Sequence, residues 1–225
     1  MHEDKKTVLV TGALSGLGRV ISRVYSERGF FVYGTARTAE GKDFPYGKLL
    51  PLELTGGDLS SLDGIKSLDV LVNNAGIFTL GAQDVLSDEA FDAVIDVNVK
   101  GLFSVTRKML PLLKASDGAI VNISSMNAFH PGFGGTAHYD ASKGFVSSYT
   151  RSLAAETGLR VNAVAPGLIE RKDLIGSELG ERYSQHSVKK SMMEPEEIAE
   201  TVFFLSSQSG IYGQTILVDN GYTLL

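Results

Sequence analysis

The feature that most constrains this chain is a glycine-bearing turn set between two hydrophobic segments. Thr7-Val8-Leu9-Val10 is a short, continuous apolar run, which suits a strand buried on both faces. It leads directly into Thr11-Gly12-Ala13-Leu14-Ser15-Gly16-Leu17-Gly18. Leu17, Val20, Ile21, Val24 and Tyr25 then recur at helical spacing, and Gly29 closes that helix. A phosphate group needs this context. Glycines let the backbone approach closely, and free amides with the helix dipole favour negative charge. A tight turn without a ligand is the alternative, and the position between strand and helix argues against it.

The same alternation continues along the chain. Further strands are expected over Phe30–Ala36, Leu49–Leu54, Asp69–Val72, Ala119–Ile123, Arg160–Val164 and Thr215–Val218. Residues 38–47 show no apolar period and predict little or no helix, and residues 55–68 leave room only for a short one around Leu59 to Ile65. Ser87 is a plausible N-cap for a helical pattern that carries Phe91, Val94 and Ile95 and runs on past Asn98 and Gly101 to about Leu113. A helix from Tyr139 continues through Phe145, Val146, Tyr149 and Leu153. Residues 168–193 are polar with helical patches and predict a mobile segment over a pocket. Glu194-Pro195-Glu196-Glu197 opens a last helix. The fold class is therefore α/β: one Rossmann-type domain over residues 1–225, doubly wound on a parallel sheet, with the second and third helical connections cut down.

Tyr139-Asp140-Ala141-Ser142-Lys143 carries the chemistry. Residues four apart share a helix face, about 5–6 Å apart at Cβ, so a lysine cation there favours the phenolate of the tyrosine. A phenol titrates near 10, and proton transfer near neutral pH asks for about 4 kcal/mol of help. One lysine rarely supplies that, and the pair alone is common on ordinary helices. At the end of the second strand Ala36 is followed by Arg37 and no carboxylate, which favours a 2′-phosphate over a ribose hydroxyl and hence NADP(H) over NAD(H). A solvated surface arginine is the competing account.

Composition removes other classes. The net charge of −5 gives a nucleic-acid role no footing. The absence of cysteine excludes disulfides and Cys-ligated metals and fits a reducing, cytoplasmic setting, and no metal-binding cluster is evident. The charged start, Met1 to Lys6, does not resemble a signal peptide, and no apolar run approaches the roughly 20 residues that cross a bilayer.

Together these motifs resemble the short-chain dehydrogenase/reductase family over nearly the whole chain. Thr11-Gly12-x-x-x-Gly16-x-Gly18 is similar to its cofactor turn and Asn73-Asn74-Ala75-Gly76 to its fourth-strand motif. Asn98, Ser125, Tyr139 and Lys143 fall where the family keeps a catalytic tetrad, and Pro166-Gly167 where it keeps the turn beside the nicotinamide. The resemblance implies that Tyr139 is the general acid in ketone reduction and the base in alcohol oxidation. Lys143 would lower its pKa and bond the nicotinamide ribose, Ser125 would donate to the substrate oxygen, and Asn98 would hold a water. It implies cofactor contacts from Gly12, Leu14, Ser15, Gly16, Leu17, Gly18, Arg37, Glu53, Leu54, Asn74, Ala75, Gly76, Pro166, Gly167 and Ile169.

Ser124 is an alternative to Ser125, and Asn73 and Asn74 have a structural reading as backbone ligands. Ser15 stands where many NADP-dependent relatives have Arg or Lys, and Arg171 where a threonine often binds the nicotinamide carboxamide. The substrate pocket is expected from Met126, Phe129, His130, Phe133, His138, Leu168 and the segment around Met192 and Met193, for a modest carbonyl or secondary alcohol. A homo-oligomer, tetramer or dimer, is implied through the helices of Asn98–Leu113 and Tyr139–Glu156. The reading from another class is a nucleotide-binding sensor or scaffold without turnover; retention of both Tyr139 and Lys143 argues against it.

Overall fold

The protein is described by a computed structural model covering residues 5–225; Met1 to Asp4 lie outside the described residues. Seven strands form one parallel sheet: β1 (Thr7–Val10), β2 (Phe31–Ala36), β3 (Gly47–Pro51), β4 (Val70–Asn73), β5 (Ala119–Ile123), β6 (Arg160–Pro166) and β7 (Thr215–Val218). Their spatial order is 3-2-1-4-5-6-7. The helices are α1 (Gly16–Glu27), α2 (Asp88–Ile95), α3 (Leu102–Ala115), α4 (Ala137–Thr157), α5 (Glu178–His186) and α6 (Pro195–Ser207). After β1 the chain winds outward one way and after β4 the other way. That reversal opens a crevice at the carboxyl ends of β1 and β4, where open α/β sheets take ligands.

Side chains alternate across the strands and build two cores. Val8, Val10, Val72, Val121 and Val164 pack beneath α1 and α6 with Ile21, Val24, Ile198, Val202 and Leu205. Leu9, Leu71, Ile120 and Val161 pack on the other face with Val105, Met109, Leu113 and Leu153. Both faces are dry, which explains why the strands read as apolar runs. Truncating one such side chain, as in Ile120→Ala, costs about 2–5 kcal/mol.

Three expectations need correction. The third strand runs over Gly47–Pro51 and leaves the sheet before Leu52, because its register is set by β2, from Val32↔Gly47 to Ala36↔Pro51. Pro51 is tolerated because β3 is an edge strand. The helical pattern from Ser87 is not one α-helix: a π-helical stretch, Asp96–Gly101, separates α2 from α3. Residues 168–193 are fastened rather than loose. Met193 N–H donates to Leu168 O and Glu170 N–H to Met193 O, closing the base of the segment, and its tip is bonded to residues 219–220. The short second and third connections are as expected: no helix lies between β2 and β3, and only a 3-10 turn, Ser60–Leu62, precedes β4.

Candidate active site

The glycine turn closes at the carboxyl end of β1 and is held from β4. Asn74 donates its side-chain amide to Thr11 O at 2.8 Å and to Gly12 O at 3.3 Å. The Thr11 hydroxyl accepts from Asn74 N and Ala75 N, both at 3.0 Å. Gly12 and Gly16 have positive φ, which favours glycine. A Cβ at Gly18 would strike Gly12 O and the Asn74 amide, so the turn can lie against α1 only with glycine there. Asn74 thus has the structural role weighed above.

Asn73 is also structural: its amide donates to Thr106 and Asn122, and Asn122 in turn donates to Thr150, linking α3, β4, β5 and α4 in a buried polar chain.

The starts of α1, α3 and α4 carry no side-chain capping bond, whereas those of α2, α5 and α6 do. Ser87 caps α2 through Ala90 N, Ser177 caps α5 through Gly180 N, and Glu194 with Glu197 forms a capping box on α6. The Ser15 side chain makes no capping bond, and the first turn of α1 carries no acid. Its leading amides are therefore open to an anion. Arg37, just beyond β2, is exposed and forms no hydrogen bond or ion pair among the described residues. It lines a groove with Thr38, Ala39, Glu40, Leu49 and Pro51. Open amides, close-packed glycines and an unpaired guanidinium fit a dinucleotide phosphate group.

At the other end of the crevice α4 brings Tyr139 and Lys143 beside the end of β5. Lys143 is buried, and its ammonium donates to Ile123 O at 2.9 Å and lies 5.8 Å from the Tyr139 ring centroid. Ser125 is buried at the start of a 3-10 turn, Met126–Ala128, and its hydroxyl accepts from Asn127 N at 3.2 Å. Ser124 points away. Its hydroxyl donates to Lys143 O and meets Ser147, so it is spent on seating α4.

Asn98 sits in the π-helical stretch. Its amide takes Ile77 N at 2.8 Å and gives to Ile77 O at 3.0 Å and Ser142 at 3.1 Å. A Cβ on Gly76 would sit 3.2 Å from Asn98 Oδ1 and 3.4 Å from Lys143 Nζ, so Gly76, Asn98 and Lys143 converge on one point.

The electrostatics differ from the simple pairing of spacing alone. Burial pushes the Tyr139 phenol up to about 12; a hydrogen bond from Ser125 opposes this, and the neighbouring Asp140 carboxylate adds to it. Burial pulls the Lys143 ammonium down to about 8. The expected drop in the tyrosine pKa is therefore absent with these neighbours, because loss of solvent outweighs the distant ammonium. The site holds a protonated phenol at neutral pH, which suits a proton donor.

Sequence reasoning missed three contributors. Phe78 packs edge-on against the Tyr139 ring, 4.9 Å between centroids. Asp140 accepts from Asn127 at 2.7 Å, Gly132 N at 3.1 Å and Thr136 at 3.0 Å, and so ties the loop after Ser125 back to α4. Thr79 meets buried His138 at 2.7 Å. All three contacts join residues far apart in sequence or on an irregular loop, where periodicity carries no signal.

Other expected residues fall as follows. Met126, Phe133, Leu168 and Met192 come together in one cluster, but Phe129 remains 54% exposed outside it and Met193 belongs to the main core. Pro166 ends β6, and Gly167 N donates to Val218 O. Ile169 pairs with Met193 and packs, partly buried, against the α1/α6 core. Leu14 is half-buried, and Leu17 packs against the same core. Glu53 is exposed and accepts from Thr55 N, while Leu54 packs on Gly101. Arg171 pairs with Asp173 at 2.9 Å in solvent. Among the described residues no group of ligands for a metal occurs, and no helix is long and apolar enough to cross a membrane.

A doubly wound parallel sheet, a glycine turn with open amides and a Ser–Tyr–Lys cluster across the same crevice define a nucleotide-dependent oxidoreductase that transfers hydride. Comparison with known proteins agrees. The sequence model of the family described as enoyl-(acyl carrier protein) reductase matches residues 61–223. The chain belongs to the short-chain dehydrogenase/reductase family. It is 33% identical to the 3-oxoacyl-[acyl-carrier-protein] reductase FabG of Thermotoga maritima over 250 residues, covering all of both proteins. It is 31% identical to the serine 3-dehydrogenase of Agrobacterium fabrum, with 90% of this chain and 88% of that protein covered. Among solved structures it is similar to the ligand-free aldohexose dehydrogenase of Thermoplasma acidophilum: TM-score 0.90, 29% identity, 98% of this chain and 95% of that one covered. It is also similar to ElxO with NADP bound, at TM-score 0.88 and 26% identity, over 98% of this chain and 100% of that one.

Proposed function

We propose that this protein reduces a carbonyl with NADPH, reversibly, and that a 3-oxoacyl thioester is the substrate class to test first. The observation that carries the reading is the meeting of Ser125, Tyr139 and Lys143 at one crevice, across from the open amides of α1. NADP(H), when bound, supplies the hydride. The chain's own residues supply the rest.

Ser125 Oγ accepts from Asn127 N and gives its one proton to the Tyr139 phenol oxygen; when a substrate carbonyl arrives, that proton turns to the substrate oxygen. The Tyr139 phenol delivers its proton to the same oxygen as charge develops. Lys143 spends one proton on Ile123 O, which fixes its head and leaves two N–H donors to replenish the phenol and hold a ribose. Asn98 has its side chain engaged by Ile77 and Ser142, so its proposed hold on a water falls to its main chain. π-helical turns recur at functional sites, in keeping with that role.

NADP(H) is preferred over NAD(H) in this reading because Arg37 is unpaired and β2 ends without a carboxylate; Ser15 is the residue that favours NAD(H). The 3-oxoacyl class is supported by the printed names of FabG relatives. Small ketones and secondary alcohols are the second class. The test is NADPH oxidation with a 3-oxoacyl N-acetylcysteamine thioester and a panel of ketones. Turnover supports an enzyme; tight NADPH binding with no turnover on any carbonyl supports the sensor reading.

We also propose a cytoplasmic homo-oligomer, tetramer or dimer. Phe103 is exposed on α3 beside Tyr149, which stacks on Phe145 of α4, so these helices present an aromatic face. Light scattering of the purified chain decides between monomer, dimer and tetramer.

A further inference from the structure

Tyr222 lies outside every motif above, yet its ring joins α5 to the loop after Ser125 and shares a cluster with Met126, Leu168 and Met192. It stacks almost parallel on buried Tyr183 of α5, with centroids 4.7 Å apart and 6° between planes. His186 of the same helix lies 4.5 Å away and tilted. From the loop after Ser125, His130 and Phe133 meet the ring edge-on at 5.7 and 6.0 Å. Tyr222 itself is 8% exposed.

The segment that carries it is fixed from several sides. Tyr183 donates to Asp219 O at 2.5 Å. The Asp219 carboxylate accepts from Gly221 N, Thr223 N and the Thr223 hydroxyl. Asn220 donates its amide to Ser191 O, Ser191 Oγ and Met192 O, and accepts from Lys189 N. A Cβ on Gly167 would collide with the Tyr183 hydroxyl and come within 2.9 Å of Asp219 Cα. The turn at Pro166-Gly167, α5 and the 219–222 segment therefore meet at one point.

We propose that Tyr222 determines substrate specificity: its ring, backed by Tyr183, walls the pocket on the α5 side and limits the substituent on the carbonyl carbon to a short or compact group. This rests on the carbonyl-reductase reading. A stacked, fully backed ring cannot turn aside to admit a chain, unlike a lone flexible side chain at a pocket edge. Hydrophobic walls of this kind discriminate by roughly tenfold or more per methylene.

The test compares wild type, Tyr222→Phe, Tyr222→Leu and Tyr222→Ala, each first checked for a single cooperative melting transition above the assay temperature. Two readouts are taken: kcat/KM for 3-oxoacyl N-acetylcysteamine thioesters of four and ten carbons, and calorimetric binding of the matching 3-hydroxyacyl thioesters to the NADP+ complex. Wild type and Tyr222→Phe are expected to prefer the four-carbon ligand. Tyr222→Leu and Tyr222→Ala are expected to raise the ten-to-four-carbon ratio by about tenfold or more, with NADPH affinity within about twofold of wild type. A ratio unchanged in both folded variants overturns the proposal, as does a wild type that already favours ten carbons. Absence of turnover alone counts against the proposed function, while the binding ratio still decides the role of Tyr222. Absence of binding of either thioester to any form overturns the wall as a substrate contact.

Discussion

The two ends of the crevice are built differently. Around Ser125, Tyr139 and Lys143 nearly every polar group is engaged: Asn98 is bonded at both ends, Asp140 holds three partners, and Tyr183, Asp219 and Asn220 knit α5 to the 219–222 segment. At the far end, past β2, there is no helix between β2 and β3, and Arg37 stands in solvent with no partner among the described residues. The chemical end is preorganised, so a single substitution there disturbs a network. The adenosine end is sparse, so recognition falls on one or two side chains. On the proposed reading the first end carries catalysis and the second cofactor choice, and each variant below is aimed at one end.

The largest effect is expected from Tyr139→Phe. It removes the proton donor and should lower kcat by about 10²–10⁴-fold while leaving the Kd for NADPH within a few-fold, measured by single-turnover kinetics and cofactor fluorescence. If the two ends were coupled more tightly than the geometry indicates, NADPH binding would fall in parallel.

Arg37→Ala comes next. A charge-assisted bond to phosphate is worth about 1.5–3 kcal/mol, so the preference for NADPH over NADH should drop by roughly 10–100-fold, with kcat on saturating cofactor unchanged. A preference that survives would remove Arg37 from the phosphate site and return the assignment to the open amides of α1 alone.

Asp140→Asn should be the smallest. It keeps a side chain of the same shape, weakens bonds that fasten the loop after Ser125, and removes the negative charge that helps hold the Tyr139 phenol up. The expected cost is about 1 kcal/mol of stability, read from urea melts, with a several-fold rise in substrate KM. The sign on the tyrosine is fixed: losing the carboxylate lowers its pKa, so the rise of alcohol oxidation with pH, which needs the phenolate as base, moves to lower pH.

Much of this was legible in the sequence, for physical reasons that also explain the gaps. The strands of a sheet covered on both faces must be apolar throughout, so Val70–Val72 and Ile120–Val121 announced themselves. The glycine turn was legible because positive φ and close packing at Gly12 and Gly18 leave few alternatives. The edge strand was misplaced by a few residues because its limits come from pairing with β2 rather than from its own pattern. The π-helical stretch was invisible because one widened turn hardly changes the spacing of Val94, Leu102 and Val105. The fastening of residues 168–193 depends on Asp219 and Asn220, some 28 or more positions away from their partners, and no local reading reaches that far. The choice between Ser124 and Ser125 likewise needed the direction of each side chain, which only α4 supplies.

The central claim is that reduction draws its proton from a half-buried, protonated Tyr139 beside a buried Lys143 whose charge is easily lost. The most direct test is the pH dependence of kcat/KM for NADPH-linked reduction between pH 6 and 10. With the phenol held up to about 12 and the ammonium down to about 8, the account predicts a constant rate at low pH that declines above about pH 8, as Lys143 gives up its proton while Tyr139 keeps its own. A rate that climbs with pH, or stays level to pH 10, would contradict it.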